Sequence, residues 1–501
     1  MSEAFNVVSV GLPAQEFYVR CQVAVERQVP VMTEFAVRLL HVVERLPIDA
    51  FASYFGLRAR ECRDLLNSLA QEGLVEEQDG SLVLTSYAAA RFVTSEDGVP
   101  RFTRIAERQT RTVFDLATFT PLPGRIASTG YWDNALELDW SREQATSSNT
   151  IDRATEAFHR HFSDIERINH QDESRRAFSV YKVEEIAAGK RNTLPIPITF
   201  TIDVDGQVNY DFAEQLEFLP EALRSRLIQL AATRIGALEK RPDQFRDFVT
   251  VFEDEVLRRY MHAEGLRFGD YVREVHASGS GATYDTGQTS SVLGALYMPR
   301  NRPLLLAGIK KAFGEIAKLA EEQRSNELFW VLPENALWGR TELLKELVQT
   351  IHQAADDELG AALEITAVCD ADQSDAPNRL QQKARPLLDA GFSDVLLGPG
   401  VTSAERFELM LMPGAYMAAL YHASASDSSV NVPVGFQTSN KRKLKKAMVF
   451  LQRACQTKLH RAYRGGEPGD RQITLADVSA GDFLHFKSYT QSDVSAQAPG
   501  A

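Results

Sequence analysis

The segment from Lys441 to Arg464 concentrates cationic side chains in an acidic protein. It contains nine Lys or Arg residues and no Asp or Glu, whereas the whole chain of 501 residues has a formal net charge of −13. Cations clustered on one surface bind the phosphate backbone of nucleic acids, and such binding weakens with salt. A membrane surface or an acidic protein would also fit this charge. The residues predicted to contact nucleic acid are Lys441, Arg442, Lys445, Lys446 and Arg453.

An apolar stripe in the same segment predicts the element that carries these cations. Its members recur at the spacing of one face of an α-helix. The cations then project from the outer faces of an amphipathic helix, although a solvated helix face without a partner has the same pattern. The stripe consists of Leu444, Ala447, Met448, Leu451, Cys455 and Leu459.

Three further cations, Arg58, Arg60 and Arg63, stand at the start of another predicted helix. Two predicted helices precede it. Alternating apolar residues follow it and flank Asp79-Gly80, a pair typical of a two-residue hairpin turn. Three helices and a hairpin are therefore predicted for residues 30–95.

This order of elements resembles the winged-helix family over residues 30–95. The resemblance implies that the third helix contacts a DNA groove, which assigns its three arginines to nucleic-acid binding. The hairpin carries Glu76, Glu77 and Asp79, and these carboxylates would repel a phosphate backbone. Docking to a protein is therefore the open alternative for this domain.

The rest of the chain predicts a mixed architecture. Residues 100–275 form a central α+β region, in which residues 100–175 are expected to be mainly helical and a second hairpin turns at Asp205-Gly206. Residues 292–488 alternate strands with helices, as in an α/β sheet domain. We therefore predict a multidomain α/β and α+β fold with an N-terminal winged helix, a central helical and hairpin region and a C-terminal α/β sheet domain.

The C-terminal order of strands, which includes "AYMAALY" and "VPVGFQTSN", resembles one half of a phospholipase D-like domain over residues 303–460. The resemblance implies a phosphodiesterase fold in which a histidine forms a covalent phosphoenzyme while a lysine and an asparagine bind the phosphate oxygens. We predict that residues 303–460 form a degenerate relative of the phospholipase D-like family, and an unrelated α/β domain is the alternative. The positions of the family's histidine, lysine and aspartate hold Met417, Ala419 and Ser424, and Gly435 and Asn440 stand five residues apart instead of three.

A second His-x-Lys triplet, His485 and Lys487, lies further along the sequence. Asp493 follows one place later than the phospholipase D-like pattern requires, and no glycine–asparagine turn comes after it. By the same resemblance, His485 and Lys487 are the candidates for a catalytic site. They would make the protein a phosphodiesterase or nuclease.

The composition argues against several classes of protein, namely membrane-spanning, secreted, zinc-binding and disulfide-rich proteins. No run of about 18 apolar residues predicts a membrane span, and the first residues lack the pattern of a secretory signal. Four separated cysteines and poorly spaced histidines indicate neither a zinc site nor a disulfide framework, so we expect a reducing cytoplasm, no metal and no cofactor. The acidic stretch "FEDEV" is interpreted as a solvated helix edge.

Together, these features predict a cytoplasmic protein associated with nucleic acid, with DNA the preferred partner and no membrane contact. It would be a pseudoenzyme, a non-catalytic component of a bacterial or other prokaryotic multi-protein system such as an antiviral defence apparatus. The assignment to such a system rests on analogy of folds. A phosphodiesterase that uses His485 and Lys487 and a protein-interaction scaffold are the alternatives. The oligomeric state is left open.

Overall fold

The computed structural model describes residues 2–27, 30–90, 92, 102–122, 134–140, 149–169, 178–212, 219–239, 242–263, 265–278, 288–320, 324–372, 374–399, 405–425, 429–455, 458–465 and 472–479. His485 and Lys487 lie outside the described residues, so the site predicted for them stays a prediction. The chain divides into two compact units. The smaller unit comprises Ala14–Thr129 and Arg142–Asn192, and the larger unit comprises Met1–Pro13, Gly130–Ser141 and Thr193–Ala501.

The smaller unit combines α-helices with strands of very different lengths. Its elements, in chain order, are β1 (Ser2–Arg27), α1 (Val31–Val43), β2 (Arg45–Pro47), α2 (Ile48–Phe55), α3 (Ala59–Gln71), β3 (Val75–Gln78), β4 (Ser81–Leu84), α4 (Ser86–Ala90), β5 (Phe102–Asp115), β6 (Pro121–Leu122), α5 (Thr150–Asn169) and β7 (Phe178–Asp203). The two longest strands are shared between the units, since β1 begins and β7 ends in the larger one.

The predicted module of three helices and a hairpin is present in the smaller unit. Its helices pack around a core that includes Phe51 and Leu69. The strands form an antiparallel sheet in the order β2-β4-β3. Asp79 and Gly80 have φ angles of 52° and 73°, the left-handed conformation that a two-residue hairpin turn requires. The hairpin predicted at these two residues is thus confirmed.

The described residues between 100 and 175 contain strand as well as helix, which corrects the prediction of a mainly helical segment. Phe102–Asp115 is strand β5, and it pairs antiparallel with β1 along its whole length. A partner this distant in the sequence leaves no local signal, because strand formation depends strongly on tertiary context. The helix α5 lies in the described part of this region, and its Phe158 and Ile165 belong to the same core cluster as Phe17 of β1.

The larger unit continues the element series from the second half of β7. Its further elements are β8 (Val208–Phe212), α6 (Glu221–Gly236), α7 (Phe245–Phe252), α8 (Glu255–Arg259), β9 (Met261–His262), β10 (Gly265–Leu266), α9 (Phe268–Ser278), β11 (Thr289–Leu293), α10 (Arg302–Ala317), β12 (Glu327–Val331), α11 (Glu342–Leu359), β13 (Glu364–Asp370), α12 (Pro377–Ala390), β14 (Asp394–Gly398), β15 (Phe407–Met412), β16 (Tyr416–Ser424), β17 (Asn431–Thr438), α13 (Lys441–Ala454), β18 (Leu459–Arg464) and β19 (Ile473–Val478).

The second predicted hairpin joins β7 to β8. Gly206 adopts a φ of 80° in the turn. A carboxylate oxygen of Asp203 accepts hydrogen bonds from the backbone N–H groups of Asp205 and Gln207, at 3.0 and 2.8 Å. The aspartate therefore stabilises the turn that the Asp-Gly pair predicted.

A nine-stranded sheet forms the C-terminal part of the larger unit. Its order is β11-β17-β16-β15-β12-β13-β14-β18-β19, with β12, β13 and β14 parallel and the other neighbours antiparallel. Apolar residues of α10, α11 and α12 pack around the buried Trp330. The predicted fold class is confirmed. None of the described helices is both long and apolar enough to cross a membrane.

The basic segment forms a shorter helix than the apolar stripe predicted. Leu444, Ala447 and Leu451 are buried, as expected for the inner face of α13. The helix ends at Ala454, however, and Leu459 begins β18, where it pairs with Val478 of β19. The residues of the predicted stripe therefore belong to two elements, because Leu444, Ala447 and Leu451 line the inner face of α13 whereas Leu459 lies in β18.

Candidate nucleic-acid interface

α3 presents two arginines on its outer face near its start. Arg58 is the N-cap residue, and its backbone N–H donates to a carboxylate oxygen of Glu61 at 2.9 Å, which stabilises the first turn. Cys62 is buried and directs one face of the helix into the core. Arg60 and Arg63 lie one helical turn apart and are both exposed.

The exposed carboxylates of Glu61 and Asp64 also lie on α3, but among the described residues they do not pair with the guanidinium groups of these arginines. Within the part of the chain that the structure describes, the guanidinium groups of all three arginines make no ion pair. The exposed Asn67 extends the same polar face by one more turn. Because the positive end of the helix dipole lies at this end of α3, the surface suits an anionic partner.

The hairpin beside α3 has the opposite charge. Glu76, Glu77 and Asp79 are all exposed on it. Gln78 donates to a carboxylate oxygen of Glu76 at 2.7 Å, and a neutral amide does not compensate the charge of that carboxylate. The hairpin is therefore a poor partner for phosphate groups.

α13 begins at Asn440, whose side chain caps the helix. Its amide oxygen accepts hydrogen bonds from the backbone N–H groups of Arg442 and Lys443, at 3.0 and 3.3 Å. The side chain of Asn440 therefore has a structural role at the start of α13.

Four of the five residues of α13 that were predicted to contact nucleic acid are exposed, and the fifth, Lys446, is half-buried. The exposed residues are Lys441, Arg442, Lys445 and Arg453.

Glu253 engages several cations of α13. Its carboxylate contacts Lys446 and lies 3.0 Å from Arg442, and its backbone carbonyl accepts from Lys443 at 3.0 Å. The hydrogen bond from Lys446 lowers the pKa of Glu253 below its ordinary value, and burial lowers the pKa of Lys443. Part of the positive charge of α13 thus holds the helix against the end of α7.

The interpretation of "FEDEV" as a solvated edge is wrong. Glu253 ends α7 at a φ of 46° and contacts α13. Asp254 is fully buried and caps α8, because its carboxylate accepts the backbone N–H groups of Val256 and Leu257 at 2.9 and 3.0 Å. No local pattern indicated the pairing of Glu253 with α13, since the partners are about 190 residues apart in the chain.

The positions matched to phospholipase D-like catalytic residues have other surroundings. Met417 and Ala419 are fully buried in β16. Gly435 of β17 lies so close to β16 that a Cβ would overlap the carbonyl oxygen of Ala419. The resemblance to that family stays a prediction. In the portion of the chain described, no group of three or more His, Cys, Asp or Glu side chains is placed to hold a metal ion.

A buried polar cluster that the sequence did not indicate lies in the nine-stranded sheet. Glu408 is fully buried and His422 is 1% exposed. One carboxylate oxygen of Glu408 accepts from the indole N–H of Trp330 at 3.0 Å, and the other lies 2.8 Å from His422 Nε2. Asn335 lies 3.1 Å from the other ring nitrogen of His422. These groups satisfy one another without solvent.

Comparison with known proteins gives little further information. No protein-family model matches the sequence, and no curated protein matches it. Among solved structures, the chain is similar to TrmBL2, an archaeal chromatin protein whose structure is described as showing a novel mode of DNA binding. The two sequences are 8% identical, and the match covers 84% of this chain and 92% of that chain. The TM-score is 0.17. A score this low carries no argument about fold or function.

Proposed function

We propose that this protein binds duplex DNA through α3 of the winged-helix module. The observation that supports the proposal most strongly is the pair Arg60 and Arg63. Both are exposed, they lie one turn apart, and neither makes an ion pair within the described residues. In helix-turn-helix proteins, the corresponding helix enters the major groove with its first turns against the base edges.

The chemistry of arginine suits this position. A guanidinium group can donate two parallel hydrogen bonds to guanine O6 and N7 or to a phosphate. Arg58 is the N-cap residue and would contact the phosphate backbone at the end of α3 where the helix dipole adds positive potential. The overall charge of −13 would keep other surfaces away from DNA, so binding should be local and sensitive to salt.

Titration of a fluorescently labelled duplex with the full chain, at a series of salt concentrations, tests the proposal. If each arginine of α3 neutralises one phosphate, the three contribute about −3 to the slope of log K against log salt, and Lys445 and Arg453 of α13 contribute about −2 more. Fluorescence anisotropy gives this slope directly. If no duplex binds even at about 50 mM salt, the protein does not act through this surface and the proposal is wrong.

The exposed cations of α13 form a second part of the proposal. The side chains of Lys445 and Arg453 are exposed, so they can reach a phosphate. Replacing both with alanine should lower the salt slope by about 2 and weaken binding about equally for all duplex sequences. Arg442→Ala, which removes a cation that is already paired with Glu253, should change the slope less than Arg453→Ala does. An unchanged slope in Lys445→Ala/Arg453→Ala would restrict the interface to α3.

The acidic hairpin supports one other function. Glu76, Glu77 and Asp79 could bind a cationic protein surface while α3 holds DNA, as expected of a subunit in a multi-protein system. Membership of a prokaryotic antiviral apparatus and a non-catalytic role remain predictions from fold analogy. So does the phosphodiesterase that would use His485 and Lys487.

A further inference from the structure

The larger unit contains a cavity of about 540 Å³ beside α10, at the edge of the nine-stranded sheet. Its walls come from α10, from the turn between β15 and β16, and from the ends of β11 and β17. None of the described residues of the winged-helix module lines it. A volume of this size is typical of pockets that bind small molecules.

Small residues on α10 create the space. Ala307, Gly308 and Ala312 share the face of α10 that lines the cavity. Gly308 lies directly against the ring of Tyr416, which a Cβ at that position would overlap. The missing side chain at this position therefore lets α10 approach Tyr416 of β16.

The floor of the cavity is polar and buried. Gln437, which is 4% exposed, accepts a hydrogen bond from the hydroxyl of Tyr416. Its amide nitrogen donates to the hydroxyl of Ser290 at 3.3 Å. Thr438 and Ser439 continue this polar lining toward the start of α13. Buried hydroxyl and amide groups that converge on one space are suited to a ligand that carries hydroxyl groups.

Two lysines give the cavity a positive rim. Lys311 of α10 and Lys441 of α13 both line it and are exposed. Among the described residues, neither makes an ion pair. Glu315, the one carboxylate in the described lining, pairs with Lys318 at 2.7 Å. The hydrogen bond from Lys318 lowers the pKa of Glu315, and the charge of Lys311, which interacts with Glu315 at longer range, also lowers it. Lys441 also begins a 14-residue helix, whose positive dipole end adds to the field.

We propose that this cavity binds a nucleoside monophosphate. The phosphate would lie between Lys311 and Lys441, the sugar hydroxyls would contact Gln437 and its neighbours, and the base would pack on the aliphatic lining that includes Ile316. The same phosphomonoester chemistry occurs in a free nucleotide and at the 5′ end of a nucleic-acid strand. This inference goes beyond the proposed function and does not depend on α3.

Isothermal titration of the full chain with AMP, adenosine and inorganic phosphate tests the proposal. We expect AMP to bind at least about tenfold more tightly than adenosine or phosphate alone, because each contributes only part of the contacts. Lys311→Ala and Lys441→Ala should each weaken AMP binding about fivefold, and Lys310→Ala, a neighbouring exposed lysine outside the cavity, should not.

A filling variant provides a readout independent of charge. Ala307→Leu occupies the cavity without removing a cation and should abolish AMP binding while the thermal midpoint stays near that of the wild type. Undetectable AMP binding by the wild type would overturn the proposal. An equal loss of AMP affinity in Lys310→Ala and Lys311→Ala would also overturn the proposal, because the lysine charges would then act on AMP at long range and not from the cavity.

A competition experiment separates the two sources of phosphomonoester. Displacement of AMP by a 5′-phosphorylated single strand, but not by its 5′-hydroxyl counterpart, assigns the cavity to strand ends. Binding of AMP alone assigns it to a free nucleotide. Arg60→Ala/Arg63→Ala should leave AMP binding unchanged, so the failure of this proposal and the failure of DNA binding through α3 can be distinguished.

Discussion

Replacing Arg60 and Arg63 with alanine should weaken binding to duplex DNA about a hundredfold, because each guanidinium lost from a groove-facing helix removes about 1 to 3 kcal/mol. Both side chains are exposed and make no ion pair within the described residues, so their removal leaves no buried carboxylate without a partner. The folded module should therefore keep its stability. Anisotropy titrations at one fixed salt concentration measure the change.

Arg38→Ala is the matched control for this variant. Arg38 belongs to α1 of the same module, and its guanidinium lies 3.0 Å from Glu34 on the same helix. The substitution removes one positive charge from the same unit, where the double variant removes two, and leaves α3 intact. DNA affinity should change less than about threefold, the range of an exposed ion pair. A loss as large as that of Arg60→Ala/Arg63→Ala would indicate a general charge effect.

Replacing Glu408 with leucine should lower the free energy of unfolding of the larger unit by about 3 kcal/mol. The buried carboxylate is the acceptor for Trp330 Nε1 and the partner of His422 Nε2. Leucine has a similar size but satisfies neither group, so two polar atoms would remain buried without a hydrogen bond. All four tryptophans, at positions 132, 140, 330 and 338, fall within the ranges of the larger unit. Tryptophan fluorescence during urea denaturation therefore monitors that unit alone.

Glu408→Gln separates the loss of the hydrogen bonds from the loss of shape. The amide keeps an oxygen for Trp330 and places a nitrogen near His422, so we expect a loss of about 1 kcal/mol. If Glu408→Leu were as stable as the wild type, the cluster would contribute to the specificity of the fold and not to its stability, as some buried polar groups do. That result would contradict a stabilising role for the hydrogen bonds of Glu408 in the nine-stranded sheet.

The parts of the fold that were predictable from the sequence have local causes. Asp79-Gly80 and Asp205-Gly206 indicate their hairpins because these pairs adopt the left-handed backbone that the turns need. The start of α13 is equally local, since it depends on Asn440 accepting N–H groups two and three residues later. Such signals lie within a few residues of the feature that they predict.

The features that sequence reasoning missed depend on distant segments. β5 becomes a strand because β1 pairs with it about 90 residues away. The three arginines of α3 could be grouped from the sequence because they are neighbours in the chain. Glu253 and the lysines of α13 are not neighbours, and neither are Glu408 and Trp330, whose contact requires the register of β12 against β15. Spacing in one segment contains no information about these contacts.

Photocrosslinking from defined positions tests the central claim, that α3 contacts DNA, most directly. A benzophenone amino acid at Asn67, which is exposed on α3, should crosslink to duplex DNA, and the same group at Gln78 in the acidic hairpin should not. Both positions lie on exposed polar surfaces of one module, so they differ mainly in the element that carries them. Efficient crosslinking from position 78 with none from position 67 would contradict DNA contact through α3.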